Sequence, residues 1–317
     1  MCPGRGANVD CPMTVGAIPA RPARPAFHIS YDERSAFLFI LPFAVVLFAV
    51  AVFPVVYSFY ISFYSLKLTR PNRVPFVWFD NYVTVLSDPQ FWEAVQRTVM
   101  FSVMAVAATS LIGLLVALLL NEDFPGRRVL SALLLVPWAI PSVANGLMWK
   151  WIYDSNYGAL NGLLFQLGFI DSYMVWLGDA NKTLALIANA FVWKEVPLAA
   201  ILLLVGLKTI PADLYAAAKV DGADAVRRFL HVSLPALGPS FALVFVYETM
   251  MAIRHFDLFF LLTEGGPGDA SHVVAWRIYV ETFRNLSFGT GAAMSYLLAL
   301  ATLALSYVII HSLARRL

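Results

Sequence analysis

Residues 35–63 read SAFLFILPFAVVLFAVAVFPVVYSFYISF, an unbroken run without one charged side chain. About 20 apolar helical residues cross the hydrocarbon core of a bilayer, so this run is long enough to span and to tilt or project. Comparable runs follow, and the expected spans are Ser35–Phe63, Thr98–Leu120, Val129–Tyr153, Leu184–Leu207, Leu237–Leu262 and Ala292–Leu313. Buried helices of a large soluble protein would show polar faces at helical spacing. Of 317 residues 60% are hydrophobic and 13% charged, against about 25% charged in soluble domains. The expectation is an all-α integral membrane protein with six transmembrane helices.

Prolines interrupt these runs at Pro42, Pro54, Pro137, Pro141 and Pro197. A backbone group freed by proline inside lipid must be satisfied by neighbouring helices or water, which favours a packed bundle with an internal path. The first 34 residues are rich in Pro, Gly and Arg, a composition that builds no packed element. They lack an apolar stretch ending in a cleavage site and read as a disordered cytosolic tail, with Met13 as an alternative start. Residues 35–317 form the six-span body. Cys2 and Cys11 both lie in the tail, so neither a disulfide framework nor a Cys/His metal cluster holds the fold. A net charge of +2 suggests no nucleic-acid partner.

Lys and Arg concentrate on the cytosolic side of membrane proteins. One side carries Arg5, Arg21, Arg24, Arg34, Arg127, Arg128, Lys208, Lys219, Arg227, Arg228, Arg315 and Arg316. The other carries Lys67, Arg70, Arg73, Arg97, Lys150, Lys182, Arg277 and Arg284. This bias places both termini and the segment 208–236 in the cytosol, and the loops 64–97, 154–183 and 263–291 outside.

The segment between spans four and five contains YAAAKVDGADAVRRFLHVSLP (215–235). Ala216–Val220 favour helix, and Asp213 is placed to cap it. Asp221-Gly222 breaks it, since Gly accepts a left-handed conformation. An amphipathic helix with Arg227 and Arg228 follows, and Pro235 is expected to stop it. The result is a helix–turn–helix at the cytosolic surface.

This segment resembles the cytoplasmic EAA loop of permease subunits of bacterial ABC importers, through Ala216-Ala217-Ala218, Asp221-Gly222-Ala223 and Leu234-Pro235. The family's Glu is Ala216 here, so a charge contact from that position is absent while the small alanine face remains. Four further stretches are similar to sugar permeases of the maltose and glycerol-phosphate type: 79–102, 136–164, 191–215 and RHFDLFFLLTEGGPGDAS (254–271). The resemblance implies a non-catalytic subunit that forms a translocation path for a sugar or related polyol in the bacterial inner membrane. It also implies two copies of an ATPase docked on the loop, a second similar permease and an external binding protein landing on the loops 64–97 and 263–291. ATP and Mg would be bound by the ATPase, since this chain contains no G-x-x-x-x-G-K-[ST] phosphate loop.

Two other function classes compete with this reading. Asp221-Gly222-x-x-Ala225 is similar to the opening of the CDP-alcohol phosphotransferase signature, but Val226 stands where Arg is required and no second aspartate pair follows at the needed spacing. An ion-coupled secondary transporter is the other alternative.

Charges inside spans are costly and commonly mark substrate pathways. Here they are Lys194 and Glu195 in span four, which adjacency should turn to different faces, and Glu248, Arg254 and Asp257 in span five. Arg254 and Asp257, three apart, could pair. With the neighbouring Trp193 and Tyr247 these residues are candidates for the path, the alternative being glue between helices. Glycerol phosphates would suit Lys194 or Arg254. Phe256 could add a flat face for a sugar ring.

Overall fold

The computed structural model describes residues 31–70 and 72–314. The tail before residue 31, together with Arg315 and Arg316, lies outside the described residues. These residues divide into two units, one ending at Pro54 and the other beginning at Val55.

In the first unit, helix α1 (Tyr31–Leu47) passes through Pro42 and is followed by a π-helical turn, Phe48–Val52. Its start at Tyr31 is four residues inside the expected disordered tail. Helix α2 (Phe53–Ser62), which begins in the first unit and continues in the second, completes a 28-residue helical run, Ser35–Ser62, with no buried residue in its most apolar stretch. Such a surface is suited to lipid rather than water.

The second unit is organised around two long helices. After α3 (Asp80–Leu86), α4 runs from Pro89 to Asn121, and after α5 (Arg127–Leu134), α6 (Val136–Ala139), α7 (Ser142–Ile152) and α8 (Ala159–Gln166), α9 runs from Ala180 to Lys208. Asp88 caps α4, its carboxylate accepting from Gln90 N at 2.9 Å, and Pro89 suits the first turn. The helix therefore starts nine residues before the expected Thr98, since Glu93 and Arg97 pair at 3.2 Å along its surface and extend it beyond the apolar run. At about 1.5 Å per residue α4 is roughly 50 Å long, enough to project from the bilayer.

α4 and α9 form the most extensive helix pair. The buried face of α4 repeats small residues, Ala94, Thr98, Ala105, Thr109, Gly113 and Ala117, which let backbones approach without lipid-driven collapse. A Cβ on Gly113 would stand 2.9 Å from the Ala199 Cβ. Around this seam lie two apolar clusters, one containing Phe101, Phe191, Phe259 and Trp276, the other Leu114, Leu203, Leu237 and Val244.

The remaining elements are α10 (Ala212–Val220), α11 (Ala225–Arg228), α12 (Leu234–Ala236), α13 (Gly238–Ile253), α14 (Asp257–Leu262), α15 (Val274–Tyr279) and α16 (Phe288–Ala314). Among the described residues, four helices are long and apolar enough to cross a membrane alone, at Ser35–Ser62, Pro89–Asn121, Ala180–Lys208 and Phe288–Ser312. Two bent pairs bring the total to as many as six: Arg127–Ala139 with Ser142–Ile152 at 95°, and Ala225–Ala236 with Gly238–Ile253 at 64°.

The bends have local causes. Ile140 precedes Pro141 and is extended, with φ −71° and ψ 130°, as a residue before proline prefers. The fifth span also differs from expectation at both ends. Pro235 sits within α12 and does not stop the preceding helix, since a π turn at Phe229–Ser233 carries the chain through it and the bend falls at the buried Leu237. At the other end α13 stops at Ile253, so Asp257 opens the separate helix α14. By contrast α9 continues through Pro197, which is buried. Among the described residues, extended pairing is confined to isolated bridges, Tyr64 with Phe76 and Lys67 with Ser287.

Candidate functional site

Helix α10 carries Asp213 in its first turn, but its N-cap is Pro211 and no side chain caps it. Its C-terminal end is closed by backbone alone. Gly222 adopts φ +77°, its N–H reaches Lys219 O at 3.1 Å, and Ala223 N–H reaches Ala218 O at 2.9 Å. These bonds satisfy carbonyls that a helix end otherwise leaves orphaned. Asp224 then caps α11, its carboxylate accepting from Arg227 N at 2.7 Å.

The two arms are tied together by Tyr215 and Ser233, whose hydroxyls lie 2.9 Å apart, while Tyr215, Phe229 and Val232 pack on the core around Leu207 and Leu237. The outer surface of the segment is bare. Ala216, Ala217, Asp221 and Pro235 are exposed, Ala218 and Ala223 half-buried, and Val220 is 89% and Leu234 37% exposed. An anchored helix that presents small and apolar side chains outward is a docking surface in form. The expected helix–turn–helix is therefore present, with its turn at Asp221-Gly222.

The candidate path residues are brought together only in part. Lys194 Nζ lies 3.4 Å from Glu195 Oε1, so the two neighbours do meet, against the expectation from adjacency; the flexible lysine stem folds back along α9. Glu195 Oε2 has no hydrogen-bond partner. Facing α9 from α13, Glu248 is fully buried with neither carboxylate oxygen partnered, within electrostatic reach of Glu195 and Lys194. Tyr247 is half-buried beside both carboxylates. Trp193 packs edge-on against Trp149 with ring centres 6.1 Å apart.

Arg254 and Asp257 are not brought together, although Arg254 lies within electrostatic reach of Tyr247. Arg254 is exposed and its guanidinium donates to Met251 Sδ at 3.1 Å. It forms no ion pair with Asp257 among the described residues, because the helix they were expected to share ends between them. Phe256 is stacked against Phe260 and Trp276 and serves the core.

Three further residues join the cluster. Asn145 on α7 is fully buried, donates to Ala190 O at 3.2 Å and leaves its Oδ1 unpartnered. Trp149 Nε1 and His255 Nε2 are likewise buried without partners, and His255 meets Phe191 edge-on at 5.1 Å. A charge in a span stands out in the sequence, whereas a neutral amide or ring nitrogen buried there does not, yet it is held to the same rule of satisfaction. Donors and acceptors from α7, α9 and the end of α13 thus converge near residues 190–195 with valences to spare.

At the opposite end of the spans the two expected outer loops are joined. Arg277 forms an ion pair with Asp88 and donates to Gln90 Oε1 at 3.1 Å. Leu68 N–H reaches Leu286 O and Phe288 N–H reaches Leu66 O, each at 2.9 Å. Within the turn cluster, Glu264 pairs with Arg284 at 2.8 Å, and the Thr263 and Ser271 hydroxyls lie 2.7 Å apart. The loops form one composite surface.

Residues 109–317 match the family model described as binding-protein-dependent transport system inner membrane component. The chain belongs to this family. It is thus an integral membrane permease of a transport system that works with a binding protein, and membership sets aside the phosphotransferase and ion-coupled readings.

The permease is 36% identical over 264 residues to the sulfoquinovosyl glycerol transport system permease protein SmoG of Agrobacterium fabrum, covering 83% of this chain and 85% of the relative. It is 37% identical over 281 residues to the trehalose/maltose transport system permease protein MalF of Thermococcus litoralis, covering 88% and 93%. A bacterial ABC transporter for the acidic polysaccharide alginate contains a chain of the same fold, with TM-score 0.76 at 20% identity over 90% of this chain and 96% of that one. The family match includes both the segment 208–236 and the buried polar cluster.

Proposed function

We propose that this permease is the membrane subunit of an ATP-driven importer for a sugar or related polyol. It pairs with a second, similar permease, two copies of an ATPase that hold ATP and Mg, and an external binding protein. It lies in the bacterial inner membrane with six spans and both termini in the cytosol. The relatives named for sulfoquinovosyl glycerol and for trehalose/maltose support the sugar class.

The observation that carries the reading is the coupling segment: α10 presents Ala216, Ala217 and Val220 outward and is hinged at Gly222, φ +77°. The segment is anchored through Tyr215 and Ser233 to the base of α9 and α13. Closure of the ATPase pair moves the docked helix, and the packing of Tyr215 on the Leu207–Leu237 core transmits that motion to the spans. Ala216–Ala218 dock by shape, Asp221-Gly222-Ala223 set the hinge, and Leu234-Pro235 lead into the bend above α13.

The path runs beside Trp193, Lys194, Glu195, Tyr247 and Glu248, with Arg254 and Asp257 toward its outer end. A carbohydrate offers many hydroxyls to unpaired carboxylate oxygens, and the indole rings offer flat faces to its C–H surface. The composite outer loop surface receives the binding protein.

Reconstitution tests this reading. The permease, co-expressed with its partner permease and ATPase, is placed in proteoliposomes with ATP inside and binding protein plus labelled trehalose or maltose outside. Uptake that requires ATP is expected, and the ATPase should co-purify with the permease. Failure of the ATPase to associate, or uptake indifferent to ATP, would refute the assignment.

A further inference from the structure

A cavity of about 950 Å³ opens between the turn after α4 and the C-terminal end of α9. Arg127, Arg128 and Lys208 line it, against one carboxylate, Asp123. Asp123 is already taken, since it pairs with Arg127 at 2.6 Å. Arg128 and Lys208 have no ion-pair partner among the described residues. Such a concentration of cations, with two uncommitted, selects an anion.

Its level in the protein narrows the anion further. The apolar helix α4 ends at Asn121 and α9 at Lys208, so the cations stand where two spans leave the hydrocarbon, the depth of lipid phosphates. The walls are mixed: Phe124, Val129 and Leu204 line the same cavity beside the polar Ser131. The framing helices also expose large apolar side chains, Leu115 of α4 at 57%, Val129 and Leu133 of α5 at 63% and 61%, and Val205 of α9 at 57%. Residues Arg127, Arg128 and Ser131 fall on the polar side of α5, with Val129, Leu130 and Leu133 offset from them, the pattern of an interfacial basic helix. A soluble anion or an acidic protein surface would use the cations but leave this apolar frame unmatched.

We propose that this cavity binds the phosphate headgroup of an anionic phospholipid, with Arg128 and Lys208 contacting the phosphate and the acyl chains lying against α5 and α9. The site is independent of the transported substrate. It would tie the α4–α5 turn to the base of α9, directly before the coupling segment.

The test uses the full-length permease in its complex, reconstituted in nanodiscs of phosphatidylcholine with phosphatidylglycerol. Retained lipid is counted by native mass spectrometry for the wild type, R128Q/K208Q, the charge-preserving R128K/K208R, and R70Q/R73Q, which removes equal charge elsewhere. Each basic residue near an anionic lipid is worth about 1 kcal/mol, so R128Q/K208Q should bind phosphatidylglycerol about thirtyfold more weakly. The other two variants should match the wild type, and single neutral variants, should the double one not fold, should each lose about fivefold. Equal retention by R128Q/K208Q and wild type would overturn the proposal. So would inorganic phosphate binding that displaces phosphatidylglycerol with equal affinity, which assigns the cavity to a soluble anion. Loss of ATPase co-purification with lipid retention unchanged would overturn it in favour of a protein contact.

Discussion

Lys194 Nζ lies 3.4 Å from Glu195 Oε1, so the cation leans on its own sequence neighbour and leaves Glu248 without a hydrogen-bond partner. A fully buried carboxylate left in this state has its acceptors available to an incoming ligand. A purely structural carboxylate would be expected to find donors. The Glu248→Gln variant keeps size and shape and replaces the carboxyl group by an amide. It should fold and insert normally, yet lower kcat/KM for sugar uptake by roughly twofold to tenfold, the worth of one hydrogen bond of about 0.5–1.5 kcal/mol. Uptake kinetics in proteoliposomes decide the matter, and unchanged values would assign Glu248 to packing between α9 and α13.

Gly222 separates two effects that are usually confounded. A Cβ there would meet nothing within 4 Å, so added bulk is not excluded by space. The constraint is φ +77°, which costs an ordinary residue about 1–2 kcal/mol and Asn less. Transport and ATPase association should therefore fall in the order Gly, Asn, Ala, Val at this position. A ranking by side-chain volume alone, with Asn below Ala, would show that the hinge conformation is not the controlling variable.

Much of this arrangement was legible in the chain. Long apolar runs mark the spans because lipid admits few alternatives, and Asp221-Gly222 marks the turn after α10 because few residues accept its geometry. Span ends were less legible. Asp88-Pro89 is a helix start, but Glu93 and Arg97 mask it by making the first turns polar. Pro235 looks like a stop and Pro197 like an interruption on a par with Pro141, whereas Leu237 and Ile140–Pro141 are where the axis turns; that choice depends on which helix packs nearby. The pairing of Lys194 with Glu195 depends on the conformation of the lysine stem, and the burial of Asn145 and His255 depends on contacts between helices distant in sequence; periodicity encodes neither.

Asn161 is a test of the loop 154–176. It is fully buried, donates to Asp154 O at 3.1 Å and Met174 O at 2.9 Å, and accepts from Met174 N at 3.1 Å and Trp176 Nε1 at 2.9 Å. Replacing it by Ala leaves several buried groups unpaired, each costing about 1–3 kcal/mol. Asn161→Ala should destabilise the protein by roughly 3 kcal/mol, at the large end for single substitutions. Thermal unfolding in detergent measures this, and a midpoint equal to wild type would show that the loop re-forms without its clasp.

His272 gives the outer surface a pH dependence with a definite sign. The side chain sits in the loop before α15, edge-on to Trp276 at 6.2 Å. Burial lowers its pKa below the ordinary value; Asp269 opposes the shift, and Arg277, Arg97 and Arg284 add to it. The folded loop therefore prefers the neutral ring, and the unfolded state takes up a proton first as pH falls. The stabilisation is fully present above the unfolded pKa, about 6.5, and is lost as pH drops through the lowered folded value. His272→Gln removes the titration but keeps a polar side chain. Between about pH 7.5 and 5, the wild type should lose more thermal stability than the variant. Parallel profiles for the two proteins would show that His272 does not govern the acid sensitivity of this surface.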